Sequence, residues 1–196
     1  MADQDHTNDN SLFIETNIKF GLQLDYSNFN LDGSSNDPVI FSGNSSESSF
    51  PPFLHEVKQL AELKALIGSD LINDEFVVYP TPYTLVYEEI LKAIQDGIPI
   101  EDKLTKTICD NLDVAYAAYL NGDASKVSAY VDLLEAMRFP LALAFFASKD
   151  TVVVDQDIQV TGYNPVVLNC ESIKFSGSGG ISSDTELTII SNSMSK

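Results

Sequence analysis

Residues 151–191 read TVVVDQDIQVTGYNPVVLNCESIKFSGSGGISSDTELTIIS. Thr151, Val152, Val153 and Val154 are strongly strand-prone, because branched side chains pack well on a pleated surface. An internal echo follows. Ile158-Gln159-Val160-Thr161-Gly162 is answered by Ile173-Lys174-Phe175-Ser176-Gly177, and again by Leu187-Thr188-Ile189-Ile190-Ser191. The steps are 15 residues from Ile158 to Ile173 and 14 from Ile173 to Leu187. A second series, Val152, Val166 and Ile181, lies between them at steps of 14 and 15. Two interleaved series with a common period predict stacked rungs, each built of two short strands. Gly162, Gly177, Gly179 and Gly180 supply the corners. Ordinary antiparallel hairpins are the competing reading of the same spacing.

Working outward, the preceding stretch has a different period. Residues 53–149 read as a bundle of four to five helices. Val57, Leu60, Leu63 and Ile67 share one face of a helix over 53–67, with Gly68 as its stop. Thr81-Pro82 opens a second helix with the stripe Tyr83, Val86, Ile90, Leu91 and Ile94, closed by Gly97. Pro99 opens a third, faced by Leu104, Ile108, Leu112, Ala115 and Tyr119. Asp123 caps a fourth carrying Val127, Val131, Leu134 and Met137, and Pro140 breaks the pattern. The run Leu141–Ala147 is apolar all round and is expected to be a buried fifth element. Loops this short imply antiparallel neighbours.

The first 52 residues complete the division. Residues 1–10 are polar and expected to be a disordered tail. Over residues 12–24, Ile18, Phe20, Leu22 and Leu24 alternate with polar or small residues, the period of a half-buried strand. Val39-Ile40-Phe41 predicts a second strand, and the Ser, Gly and Pro of 42–52 predict a linker. The expected class is therefore α+β: a central helical bundle (53–149) flanked by N-terminal strands (11–52) and a C-terminal, solenoid-like β stack (150–196). One core shared by all three is expected, since two isolated strands are marginal in water.

The repeat over 151–191 resembles, in its period, small β-solenoid polymers such as bactofilins. The resemblance implies self-assembly. It carries no diagnostic motif, and the helical segment before it departs from that family.

Chemistry is sparse. The chain has 196 residues, 29 Asp and Glu against 11 Lys and Arg, and a net charge of -18. Such acidity disfavours nucleic acid and anionic lipid, which reward clustered bases. No apolar run approaches the roughly 20 residues of a membrane helix, and no signal-peptide pattern opens the sequence. With only Cys109 and Cys170, this predicts a cytoplasmic chain without a disulfide framework. Asn44-Ser45-Ser46 matches a glycosylation sequon, relevant only in a secretory pathway. His6 and His55 are the only histidines, too few for a zinc site, which usually takes three or four protein ligands. Asn28, Asn30, Asp32 and Gly33 imitate the start of a calcium loop, but Val39 stands where a bidentate Glu is needed. Gly177-Ser178-Gly179-Gly180 lacks the lysine of a phosphate loop. No G-x-S-x-G elbow occurs. The adjacent carboxylates Glu88-Glu89 and Glu101-Asp102 diverge on a helix and so cannot face each other.

The expectation is a non-enzymatic structural protein, without cofactor or metal, whose partner is itself. It associates through β edges at Ile18, Phe20, Leu22, Leu24, Leu187 and Ile189 into homo-oligomers or filaments. The sequence closes soon after Ile189, so the last strand is expected to lack a cap. Two alternatives stand beside it. One is a binding module or secreted effector that recognises a protein or glycan through Tyr83 and Tyr87, four apart on one helix face. The other is a hydrolase with dispersed carboxylates.

Overall fold

The repeat segment forms strands that pair in parallel. The structure, a computed structural model, describes residues 11–33, 38–68 and 74–196. Among these residues it is a mixed α+β chain with five α-helices and two sheets. The elements run α1 (Leu12–Lys19), β1 (Val39–Ser42), β2 (Phe53–Val57), α2 (Leu60–Ile67), α3 (Leu85–Gln95), α4 (Lys106–Asn121), α5 (Val131–Arg138), β3 (Leu141–Val154), β4 (Ile158–Thr161), β5 (Val166–Phe175), β6 (Ile181–Ser183) and β7 (Leu187–Ser195). One sheet has the order β1-β4-β6 and the other β2-β3-β5-β7. The chain divides into two units: Met1–Glu56 with Ala142–Lys196, and Val57–Leu141.

In the first unit the strands from β3 to β7 alternate between the sheets along the chain. Within each sheet β1, β4 and β6 pair in parallel, and so do β3, β5 and β7. Ala144 lies beside Val166 and Val166 beside Leu187, steps of 22 and 21 residues. Val152 lies beside Ile173 and Ile173 beside Met194, both steps of 21. Ile158 lies beside Ile181, a step of 23. The expected partners therefore differ. Ile173 does not pair with Ile158, and Val166 does not pair with Val152. Two steps of the 14–15 residue echo, Ile158 to Ile173 and Val166 to Ile181, cross from one sheet to the other, and the other two, Val152 to Val166 and Ile173 to Leu187, join adjacent strands of one sheet out of register. Residues of both sheets point into one interior and have the same chemistry, so an apolar period alone cannot tell them apart.

That interior holds Val39, Phe41, Ile158 and Val160 from one sheet, and Ala144, Phe146, Val152, Val154, Val166, Leu168 and Ile173 from the other. Corners stack as well as strands. Gly177 has φ +63 and follows β5. At Gly179 a Cβ would lie 2.6 Å from Val154 O and 2.7 Å from Asp155 C, so glycine lets this corner sit directly on the preceding one.

Two expectations are overturned. The stretch expected as a strand is α1. Its inward residues are Phe13, Thr16, Asn17 and Phe20, spaced i, i+3, i+4, i+7. Ile18 and Leu24, members of the apparent alternation, are 55% and 56% exposed. The second is the fifth helical element: Leu141–Ala147 is the first half of β3. A parallel strand covered on both faces reads as a continuous apolar run, which no periodicity distinguishes from a buried helix. The expected helix over 53–67 likewise splits into β2 and α2.

In the second unit, α2, α3, α4 and α5 occupy four of the expected helical stretches. Thr105 Oγ1 accepts from Ile108 N–H and caps α4. Asp123 accepts from Ser125 N–H ahead of a 3-10 turn, Ala124–Tyr130, that leads into α5. The tail 1–10 lies outside the described residues.

Candidate association edge

The two ends of the paired strands are chemically different. At the β1 end the outward backbone groups are already bonded. Ile40 N–H donates to Ser49 Oγ (3.0 Å) and Ile40 O accepts from Ser49 N–H (2.8 Å). Ser42 N–H donates to Ser48 Oγ (3.2 Å), whose own hydroxyl donates to Ile40 O (3.3 Å). The segment read as a linker is thus a serine cap on a sheet edge. Beside it, β3 is lined by β2 and by residues 27–31. Asn28 Oδ1 accepts from Ala147 N–H (2.7 Å), and Leu31 O accepts from Val153 N–H (2.8 Å). The side chain of Asn28 also donates to Pro51 O (2.8 Å). Its amide is therefore a backbone bracket, not the first ligand of a calcium loop.

At the other end, β6 and β7 close their sheets. Val166 N–H donates to Glu186 O (2.8 Å). Glu186, Thr188 and Ile190 therefore direct their backbone groups at β5, and Leu187, Ile189 and Ser191 direct theirs away from it. By the same alternation, Ile158 N–H to Gly180 O and Asp184 N–H to Val160 O leave Ile181 and Ser183 of β6 pointing outward. Among the described residues no strand pairs with this edge. Neither Ile181–Ser183 nor Leu187–Ser195 contains a charged residue, in a chain of net charge -18. Leu187 and Ile189 are half-buried, and Met194 is 55% exposed. A hollow of about 460 Å³ lies here, lined by Phe175, Gly177, Ser178, Gly179, Met194, Ser195 and Lys196. Gly177–Gly180, weighed above as a phosphate loop, is followed by β6 rather than a helix.

Of the six residues expected at β edges, only Leu187 and Ile189 lie on one. Ile18, Phe20, Leu22 and Leu24 lie in or just after α1 and offer no ladder; Phe20 is buried, its ring 4.3 Å from that of Phe145. α1 packs instead on the outer face of β5 and β7. Asn169 Nδ2 donates to Phe13 O and to Asn17 Oδ1, both at 2.9 Å. Asn192 Oδ1 accepts from Leu12 N–H (2.8 Å). No periodicity flagged Asn17 or Asn169; a fully buried asparagine is recognisable only once its neighbours are known.

Tyr83 and Tyr87 do share a helix-side cluster, but not as an open surface. Tyr87 is 6% and Tyr130 is 2% exposed. Asn111 Nδ2 donates to both hydroxyls, at 2.7 and 2.9 Å, and Asn111 Oδ1 accepts from Thr81 N–H (2.8 Å). The Tyr83 ring stacks on Tyr87 at 5.3 Å and stays half-buried. Burial, with Glu88 and Asp132 nearby, holds its hydroxyl pKa above the usual tyrosine value. Tyr87 is a packing residue, so the stripe loses half of the surface expected of it.

His55, on β2, packs against the rings of Phe20 (5.3 Å) and Phe53 (6.3 Å); His6 lies outside the described residues. Among the described residues no group of three His, Cys, Asp or Glu is placed to hold a metal ion. No described helix is long and apolar enough to cross a membrane. Cys109 and Cys170 are free, and burial pushes the Cys170 thiol up to about 12. No protein-family model, curated protein or solved structure matches the chain.

Proposed function

We propose that this chain is a non-enzymatic structural protein that associates with copies of itself through the β6–β7 edge, on a short solenoid-like stack. The observation that carries this reading is an unpaired, wholly uncharged edge on a strongly acidic chain. Exposed edges of soluble proteins are usually blunted with charge or covered, because free ladder groups template further strands. Here the covering falls on β1, through Ser48 and Ser49, and none of the described residues pairs with the outer edge of β7. The edge is also where two acidic molecules approach with least repulsion, so association strengthens with salt. Both free thiols are compatible with a reducing, cytoplasmic setting.

Light scattering after size-exclusion chromatography tests this over a concentration series at low and high salt. The expected result is a species heavier than 21.5 kDa, its population growing with concentration and salt. A 21.5 kDa monomer under every condition overturns the proposal.

A further inference from the structure

We infer that association closes as a two-fold dimer, with β7 of one copy antiparallel to β7 of the other, and does not propagate into filaments. This rests on the self-association reading above. Propagation needs two different free ends on each copy, so that one copy's last strand adds to the next copy's first. The first strand is not free. Ser48 and Ser49 occupy the N–H and C=O of Ile40 and the N–H of Ser42, the groups an incoming strand would need. The far edge of the second sheet is β2, five residues long and bearing Glu56, a short and charged edge that resists addition. A copy approaching β7 therefore has one matching surface to offer, its own β7 edge. Two identical edges meet about a two-fold axis. An axis perpendicular to the sheet makes the strands antiparallel, and the outward groups of Leu187, Ile189 and Ser191 then face their counterparts as an antiparallel ladder requires, whereas an axis along the strands sets them in register without the stagger of a parallel ladder.

Neutrality names the same occupant. Over the nine residues of β7 no side chain carries charge, so pairing the strand with its own copy places no acid against acid. The inward groups also benefit. Leu187 and Ile189 are only half covered, and a strand added across the edge extends the interior over them.

A single-cysteine scan distinguishes the geometries. Thr188, Ile190, Asn192 and Ser193 are replaced one at a time by Cys, in a Cys109→Ser background, and oxidised. Cys170 is buried with a raised pKa, so it stays silent. In an antiparallel self-pair only positions beside the axis meet their own copies. One position, or two neighbours, should give at least tenfold more cross-linked dimer than the rest. Cross-linking at every position indicates parallel in-register pairing and refutes the antiparallel pair. Larger oligomers or filaments in light scattering and electron microscopy, without cross-links, refute the dimer while leaving self-association standing. A monomer throughout refutes both. Ser191→Pro adds a check on folding: its N–H points away from β5, so proline there keeps the chain's own ladder while removing a donor from the interface. It should stay folded and lose dimer at least tenfold; a folded, still dimeric S191P overturns the assignment of the edge.

Discussion

Replacing Asn169 by Leu should loosen α1 from the sheet, and the size of the effect follows from the bonds present. Asn169 is fully buried, and its Nδ2 makes two hydrogen bonds, to Phe13 O and to Asn17 Oδ1. Leu is close to Asn in shape but donates nothing. Losing two bonds costs about 2 kcal/mol net, and leaving Asn17 Oδ1 buried without its donor costs about 1–3 more. Phe13 O is buffered, because a helical carbonyl already accepts from the residue four on. An opposing effect exists. Asn169 Oδ1 is buried with no hydrogen-bond partner among the described residues, and removing it returns about 1–3 kcal/mol. The balance is a loss of about 2 kcal/mol, equivalent to roughly 4–8 °C in Tm for a chain of this length. Asn169→Asp should be worse, since a carboxylate would face two acceptors. Urea unfolding measures the loss. Hydrogen exchange read by mass spectrometry places it: residues 12–19 should exchange roughly tenfold faster, while α4 is unchanged. If N169L is as stable as the parent, with α1 equally protected, the asparagine clamp does not hold the helix.

Gly179→Ala should cost about 1–3 kcal/mol, because the new methyl meets backbone of residues 154–156 rather than a yielding side chain; a Tm within 1 °C of the parent would contradict the stacked corner. Asn111→Ala should lower stability by about 2–4 kcal/mol, leaving two buried tyrosine hydroxyls without their donor; near-ultraviolet circular dichroism should lose the signal of a packed tyrosine cluster, and an unaltered spectrum would argue against it. Cys170 ionises in the unfolded chain near the ordinary thiol value of 9.0 but only at about 12 when folded, so above pH 9 the unfolded state binds fewer protons. Stability should therefore fall by about 1.4 kcal/mol per pH unit between pH 9 and 12. Several tyrosines titrate in the same range, so Cys170→Ala isolates the thiol: its stability should decline less steeply, and an identical slope would remove the assigned cause.

Much of the architecture was legible because its signals are local. Gly68, Gly97 and Gly122 stop helices, Asp123 caps a turn, and β-branched runs mark β3 and β5, all through backbone preferences that the neighbouring chain cannot reverse. Charge and the lack of metal-ligand spacing are likewise properties of the sequence as written. The errors share another cause. Ile18, Phe20, Leu22 and Leu24 mimic a strand because alternation along the sequence does not say which face is covered; the burial of Phe13, Thr16, Asn17 and Phe20 on one face goes with a helix. Leu141–Ala147 carries no period because both its faces are buried, and only the layers around it make it a strand. The 14–15 residue echo was real in the sequence, yet register depends on which residues lie side by side across the sheet, a non-local choice settled by packing. The same holds for the edge. Composition alone makes Leu187–Ser195 an apolar and polar neutral stretch; its place as the outermost described strand, opposite a β1 edge closed by Ser48 and Ser49, is decided only when hydrogen bonds between distant residues are made.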